Sequence, residues 1–184
     1  YTKVTFTPDY AQFGLTGLSK HMRNVLMKRV VDLSVTCPSN VTVKWNGITV
    51  HETFTEYVSA HGSDLEGLVI EMDKGKKVKN PLKFAIVPTL GKSRMNHTTI
   101  NGIVTYNGGT HQQFYERGLN ELVDLAASRF ERADPSLKIR VKDLKNALSI
   151  IALCTQPDPK FDSQSKTRLV SKHAFEEFPT SKCE

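Results

Sequence analysis

Thr98-Thr-Ile-Asn-Gly-Ile-Val104, then Gly108-Gly109-Thr110-His111, then Phe114, Tyr115, Leu119, Leu122, Val123, Ala126 and Phe130 at helical spacing form the stretch that decides the fold. Its first seven residues read as a strand and the glycine pair as a break. The apolar positions three or four apart are the buried stripe of a long helix, with Thr110 placed to cap it. Asp134-Pro135 ends that helix, a short helical turn is expected over 141–147, and the apolar run Leu148 to Leu153 is a buried strand,. Strands and helices mix without internal repeats, which predicts one α+β sheet domain with a strand-helix lead-in.

Towards the N-terminus, Leu68 to Met72 and Leu82 to Val87 read as two strands joined by a turn rich in Lys74, Lys76, Lys77 and Lys79, a solvated hairpin tip. A helix is expected over Thr53 to His61, with Phe54, Tyr57 and Val58 as its buried face,. Val41, Val43 and Trp45 alternate up to Asn46-Gly47, and Ile48 and Val50 continue beyond it. An Asn-Gly pair between two alternating runs is a strong hairpin signal, because both residues tolerate positive φ. Leu18, Met22, Val25, Leu26, Val30 and Leu33 mark an amphipathic helix capped by Ser19 or Thr16,. Val4 and Phe6, alternating with threonines, read as a strand ended by Pro8-Asp9. At the other end, Pro157 and Pro159 stiffen a loop through Gln164-Ser165-Lys166, and a helical start followed by a frayed tail is expected from Thr167.

The chain has 184 residues, the size of one medium domain, and buries enough apolar surface to need no disulfide or metal staple,. It contains no apolar run of bilayer length, so a membrane protein is not expected. It opens at Tyr1 with neither Met nor a targeting segment, and is read as a piece of something longer without a signal peptide,. Cys37, Cys154 and Cys183 show no metal spacing, and their odd count points to intracellular thiols,. The formal charge of +6 suits a polyanionic partner, but the basic residues are dispersed,.

No self-contained active site is legible. The six histidines make no metal-binding pair, and nucleophile-elbow, Walker and dinucleotide motifs are absent,. Gly108-Gly109-Thr110-His111 reads as a tight strand-to-helix connection rather than a phosphate cradle, with His111 a hydrogen-bonded surface residue. The stretch from Asp158 to Leu169 is different. Its stiffened loop presents an amide (Gln164), a hydroxyl (Ser165) and an ammonium (Lys166) in succession, a set able to donate several hydrogen bonds to phosphate,. From these residues alone, the reading that Lys166 opens a solvated helix is the favoured one.

Three stretches together resemble the type IIA DNA topoisomerases. Gln164-Ser165-Lys166 is similar to that family's QTK loop, with serine where threonine is usual. Thr99 through His111 resembles its strand-and-turn ending in Gly-Gly-Thr-His, and Tyr1 through Asp9 with the following helix resembles the end of its ATPase module. The resemblance implies a transducer domain with a left-handed β-α-β fold of ribosomal-protein type, a mixed sheet with helices mainly on one face. It implies a division into residues 1–35 (the last strand and helix of a GHKL ATPase module, or a lead-in), 36–178 (transducer) and 179–184 (tail or linker). By the same resemblance Lys166 is the catalytic contact to the γ-phosphate of ATP, and Gln164 and Ser165 help bind the nucleotide. ATP and Mg2+ would be held mainly by a GHKL module outside this chain, no metal site being expected here, and the fragment alone should be inactive. Double-stranded DNA, the GHKL module and further subunits of a homodimer or heterotetramer are the implied partners, inside a cell, in cytoplasm, nucleoid or nucleus, with a viral, phage or eukaryotic source favoured. The alternatives are the middle domain of a mismatch-repair or heat-shock-chaperone ATPase, or a nucleic-acid-binding module of the same fold.

Overall fold

The computed structural model describes residues 1–61, 68–72, 82–89, 93–136 and 138–172. Its elements are α1 (Lys20–Thr36), β1 (Val43–Trp45), β2 (Ile48–Val50), α2 (Phe54–His61), β3 (Leu68–Met72), β4 (Leu82–Pro88), β5 (Asn96–Ile100), β6 (Ile103–Val104), α3 (Thr110–Ala133), α4 (Val141–Asn146) and β7 (Leu148–Cys154). The basic turn between β3 and β4, Cys183 and the tail after Lys172 lie outside the described residues.

Local chemistry accounts for most boundaries. Ser19 caps α1, its hydroxyl accepting from the Met22 amide at 3.2 Å,. A capping box opens α2: Glu56 accepts from the Thr53 amide at 2.7 Å, and the Thr53 hydroxyl accepts from the Glu56 amide at 3.2 Å,. β1 and β2 turn through Asn46 and Gly47, at φ 49° and 82°,. A second Asn-Gly pair repeats the device, with Asn101 and Gly102 at φ 50° and 73°. The single strand expected over 98–104 is therefore two, β5 and β6, paired antiparallel with Thr99 opposite Val104.

Five strands form one mixed sheet in the order β3-β4-β7-β5-β6. β7 is central, antiparallel to β4 and parallel to β5. The parallel pair requires a crossover, which β6, α3 and α4 supply,. Because β7 is covered on both faces, it is apolar from Ile150 to Cys154 and alternate residues serve different cores,. Ile150, Ala152 and Cys154 join Leu82, Phe84 and Ile86 beneath Phe114, Tyr115, Leu119 and Val123 of α3. Ile151 and Leu153 join Ala85 and Val87 beneath Phe54, Tyr57 and Val58 of α2 and Val35 of α1. The mixed α+β sheet is as expected. Most of the helical mass, α3 with α4, lies on one face. Each fully buried Leu or Phe in these layers contributes about 2–3 kcal/mol relative to exposure.

Glu116 of α3 fastens the crossover. Its carboxylate accepts from Arg94 at 2.6 Å and from Asn96 at 3.2 Å, and pairs with Lys145 of α4 at 3.0 Å. Burial would raise its pKa, but Lys145 and Arg94 outweigh that and hold it below the usual glutamate value,.

Two apolar expectations fail for want of a neighbour. Residues 1–9 form no strand, and Val4 and Phe6 are 81% and 79% exposed, since no described strand lies beside them to accept their backbone bonds,. Phe130, expected in the core, is half exposed because it walls an apolar groove of about 410 Å³ between α3, α4 and the sheet.

Candidate functional site

Beyond β7 the chain leaves the sheet and doubles back on itself. Phe161 and Leu169 bridge antiparallel, the Asp162 amide donates to the Arg168 carbonyl at 3.1 Å, and the Val170 amide donates to the Lys160 carbonyl at 2.9 Å. The expected loop is thus a narrow two-stranded arm. Its tip closes where the Lys166 amide donates to the Ser163 carbonyl at 3.1 Å, with the Ser163 and Ser165 hydroxyls 2.8 Å apart. Lys166 itself adopts φ 57°, the left-handed region, so the chain reverses at that residue,. Gln164, Ser165 and Lys166 are all exposed, and among the described residues no acidic group pairs with the Lys166 ammonium. The helix expected from Thr167 does not form: residues 167–172 are extended, because their backbone groups bond elsewhere.

That elsewhere is the turn between β6 and α3. The Asn107 amide donates to the Thr167 carbonyl at 3.0 Å, and its side chain donates to the Thr167 hydroxyl at 3.1 Å. The Leu169 amide donates to the Gly108 carbonyl at 3.1 Å, and the Thr110 amide donates to the Leu169 carbonyl at 3.2 Å. Gly109, at φ 136°, lies so near that a Cβ there would collide with the Leu169 carbonyl oxygen. Thr110 is not the N-cap of α3. Gly109 holds that place without a side-chain bond, while Thr110 is the first helical residue and its hydroxyl donates to the Ser171 carbonyl at 2.6 Å. The glycine pair is a tight connection, as read from the sequence, and what it accommodates is the arm.

The other foot of the arm is held by buried Gln156. Asn101 and Gln156 exchange two bonds of 2.8 Å, and the Gln156 amide group donates to the Ser171 hydroxyl at 3.2 Å and the Lys172 carbonyl at 3.1 Å. Leu169, 1% exposed, sinks between the feet into the core beneath α3. His111 is buried, not at the surface as expected. Its Nε2 lies 3.0 Å from the Thr105 hydroxyl and 3.1 Å from that of Thr98. The Thr98 and Thr105 hydroxyls lie 2.8 Å apart and close a triangle with the ring nitrogen, and Thr105 also lies 3.0 Å from the Thr98 carbonyl. The triangle braces the turn from inside. Asn101, Asn107, Gln156 and Leu169 were not singled out in the sequence; the second Asn-Gly pair was the available signal for the first of them.

A second polar cluster lies under α2. The Tyr57 hydroxyl donates to buried Asp32 at 2.7 Å, and Lys28 pairs with the same carboxylate at 2.5 Å. Tyr57 has one proton and spends it on Asp32, so its oxygen accepts from Nε2 of His97 at 2.9 Å,. Burial first, then the Lys28 and His61 charges, push His97 down to about 4. Burial works against ionised Asp32, but its bonds from Lys28 and Tyr57 prevail and its pKa is lowered. Cys154 is no nucleophile: burial pushes its thiol up to about 12,.

Among the described residues no group of three or more His, Cys, Asp or Glu side chains is placed to hold a metal, and no helix is long and apolar enough to cross a membrane. The described residues thus form a mixed-sheet domain that presents an exposed lysine on an anchored arm. A family model described as DNA gyrase B matches residues 50–179. The DNA topoisomerase 2 of Trypanosoma brucei brucei is 32% identical over 97% of this chain and 15% of that protein. That of Acanthamoeba polyphaga mimivirus is 28% identical over 95% of this chain and 14% of that protein. The ATPase region of Saccharomyces cerevisiae topoisomerase II matches in fold with a TM-score of 0.72 at 21% identity, over 96% of this chain and 45% of that one. The ATPase and transducer domains of Balamuthia mandrillaris topoisomerase II match with a TM-score of 0.63 at 22% identity, over 82% of this chain and 36% of that one. The chain belongs to the type IIA DNA topoisomerase family. It spans about 15% of the length of the curated relatives it matches.

Proposed function

We propose that this chain is the transducer of an ATP-dependent type II DNA topoisomerase and that Lys166 is its nucleotide-sensing residue. The observation that carries the reading is the arm: a fixed, two-footed projection whose tip holds an exposed ammonium with no acid beside it. No described acidic group pairs with this ammonium, so it is available to a phosphate oxygen,. Gln164 and Ser165 add an amide and a hydroxyl to the same tip. Bound ATP would supply the γ-phosphate whose charge grows during hydrolysis, and Lys166 would meet that charge from outside the nucleotide pocket. In this reading ATP and magnesium are held mainly by the neighbouring GHKL module.

Residues 36–178 form the transducer in this reading, 179–184 are a tail or linker, and 1–35 belong to the ATPase module or its exit. Residues before Asp32 are exposed or half-buried, which suits a boundary within α1, whereas Asp32 and Val35 pack with α2. Contact between Lys166 and nucleotide would couple hydrolysis to clamp closure by paired subunits and to passage of a DNA duplex, within whichever cellular compartment holds that DNA. Lys166→Ala in the full-length enzyme tests this. ATP turnover and strand passage are expected to fall at least about tenfold, the size of one lost phosphate-directed charge contact. Wild-type turnover in that variant would remove Lys166 from the mechanism.

A further inference from the structure

The two motifs that stand apart in the sequence meet in space, and that meeting has a functional consequence. Resting on the assignment of Lys166 above, we infer that the turn from Asn107 to Thr110 is the positioning element for the Lys166 arm. Gly109 and Thr110 would set where the ammonium stands without touching nucleotide themselves.

Four hydrogen bonds join the turn to residues 167–171 through backbone groups: Asn107 to Thr167, Leu169 to Gly108, Thr110 to Leu169, and the Thr110 hydroxyl to Ser171. A fifth links the Asn107 and Thr167 side chains. They form a short ladder rather than a single point, and so fix direction as well as place. Gly109 is the closest approach. Cβ space there is denied by the Leu169 carbonyl oxygen and, at 2.7 and 2.9 Å, by the Leu169 amide nitrogen and Cα. These are backbone atoms that cannot swing aside, so any side chain at Gly109 displaces the arm's second foot. The displacement is passed to the tip through the bonds Asp162–Arg168 and Lys166–Ser163. The ladder also sits directly on the first turn of α3, so a pull on Lys166 is felt at the start of the longest helix. A shift of about an ångström in a charge contact is enough to lose much of its catalytic value.

The test uses the full-length enzyme and steady-state ATP hydrolysis, comparing Gly109→Ala, Thr110→Val, Thr110→Ser, Lys166→Ala and the Gly109→Ala/Lys166→Ala double variant. Gly109→Ala and Thr110→Val should lower kcat several-fold with little change in KM for ATP, because the pocket itself lies elsewhere. Thr110→Ser, which keeps the hydroxyl, should restore most of the rate. The double variant should turn over no more slowly than Lys166→Ala alone, a non-additivity that a general loss of folding does not produce. If Lys166→Ala is slow while Gly109→Ala and Thr110→Val match wild type, the positioning role is overturned and the sensing role stands. A double variant well below Lys166→Ala also overturns it, since the turn then acts apart from the lysine. A wild-type rate for Lys166→Ala overturns both. Thr110→Val removes one hydroxyl and adds no bulk, so it decides the matter even where Gly109→Ala folds poorly.

Discussion

Lys166 combines an exposed charge with a backbone that its own side chain disfavours. At φ 57° a residue with a Cβ is strained by about 1 kcal/mol, and glycine is not,. Lysine thus stands at this turn against its backbone preference. Lys166→Gly should unfold at higher urea than Lys166→Ala, by about 1 kcal/mol, although both lack the ammonium and should show equal losses of ATP turnover. Equal urea midpoints would mean that the reversal at Lys166 does not persist in solution. The sequence made the lysine visible, through its place between Ser165 and Thr167 and the prolines upstream. It could not show the left-handed turn, because that comes from where Phe161 and Leu169 pair, and neither residue carries a turn signal.

At the scale of elements, α1, α2 and β5 meet over one buried polar cluster, and this sets an acid sensitivity. His97 takes up a proton near 6.5 when exposed but only near 4 in the fold, so between those values the unfolded chain binds more protons. Stability therefore falls as pH drops from 6.5 towards 4,. Asp32, held below its ordinary 3.8, adds stability above that value and loses it on further acidification, so both groups act in the same direction,. Lys28 and His61 oppose protonation of His97, and Asp32 favours it. Chemical denaturation of this chain should show about 2 kcal/mol less stability at pH 5 than at pH 7.5. His97→Gln, which keeps a donor for Tyr57, should flatten most of that slope; an unchanged slope would place the sensitivity elsewhere. Elements with local signals were legible: the Ser19 cap of α1, the Asn46-Gly47 hairpin and the buried strand β7. His97 carries no core signal in the sequence, because helices distant in sequence cover it, and no local pattern announces that.

At the scale of the molecule, the N-terminal segment contributes nothing to either core. Val4, Phe6 and Phe13 are exposed, and α1 joins the fold through its second half, from Lys28 onward. Deleting residues 1–18, which leaves the Ser19 cap in place, should therefore move the thermal midpoint of this chain by no more than about 2 °C. The same deletion should lower binding of an apolar-surface dye; a large fall in the midpoint would show that the segment packs on the domain after all. The α+β class was legible from the alternation of patterns. The strand order was not, since the place of β7 between β4 and β5 depends on tertiary pairing alone.

The arm and its turn also carry information about timing. Asn107 and Thr167 are 60 positions apart, Thr110 and Ser171 are 61, and Asn101 and Gln156 are 55. Closures this long are entropically unfavourable until the strands and helices between them are in place. During synthesis, then, the sheet can be complete while the arm is still untethered, and the last bonds wait for Ser171 to emerge. A correctly seated Lys166 is in that sense a certificate of assembly: the lysine reaches its station only after everything between the two motifs has folded.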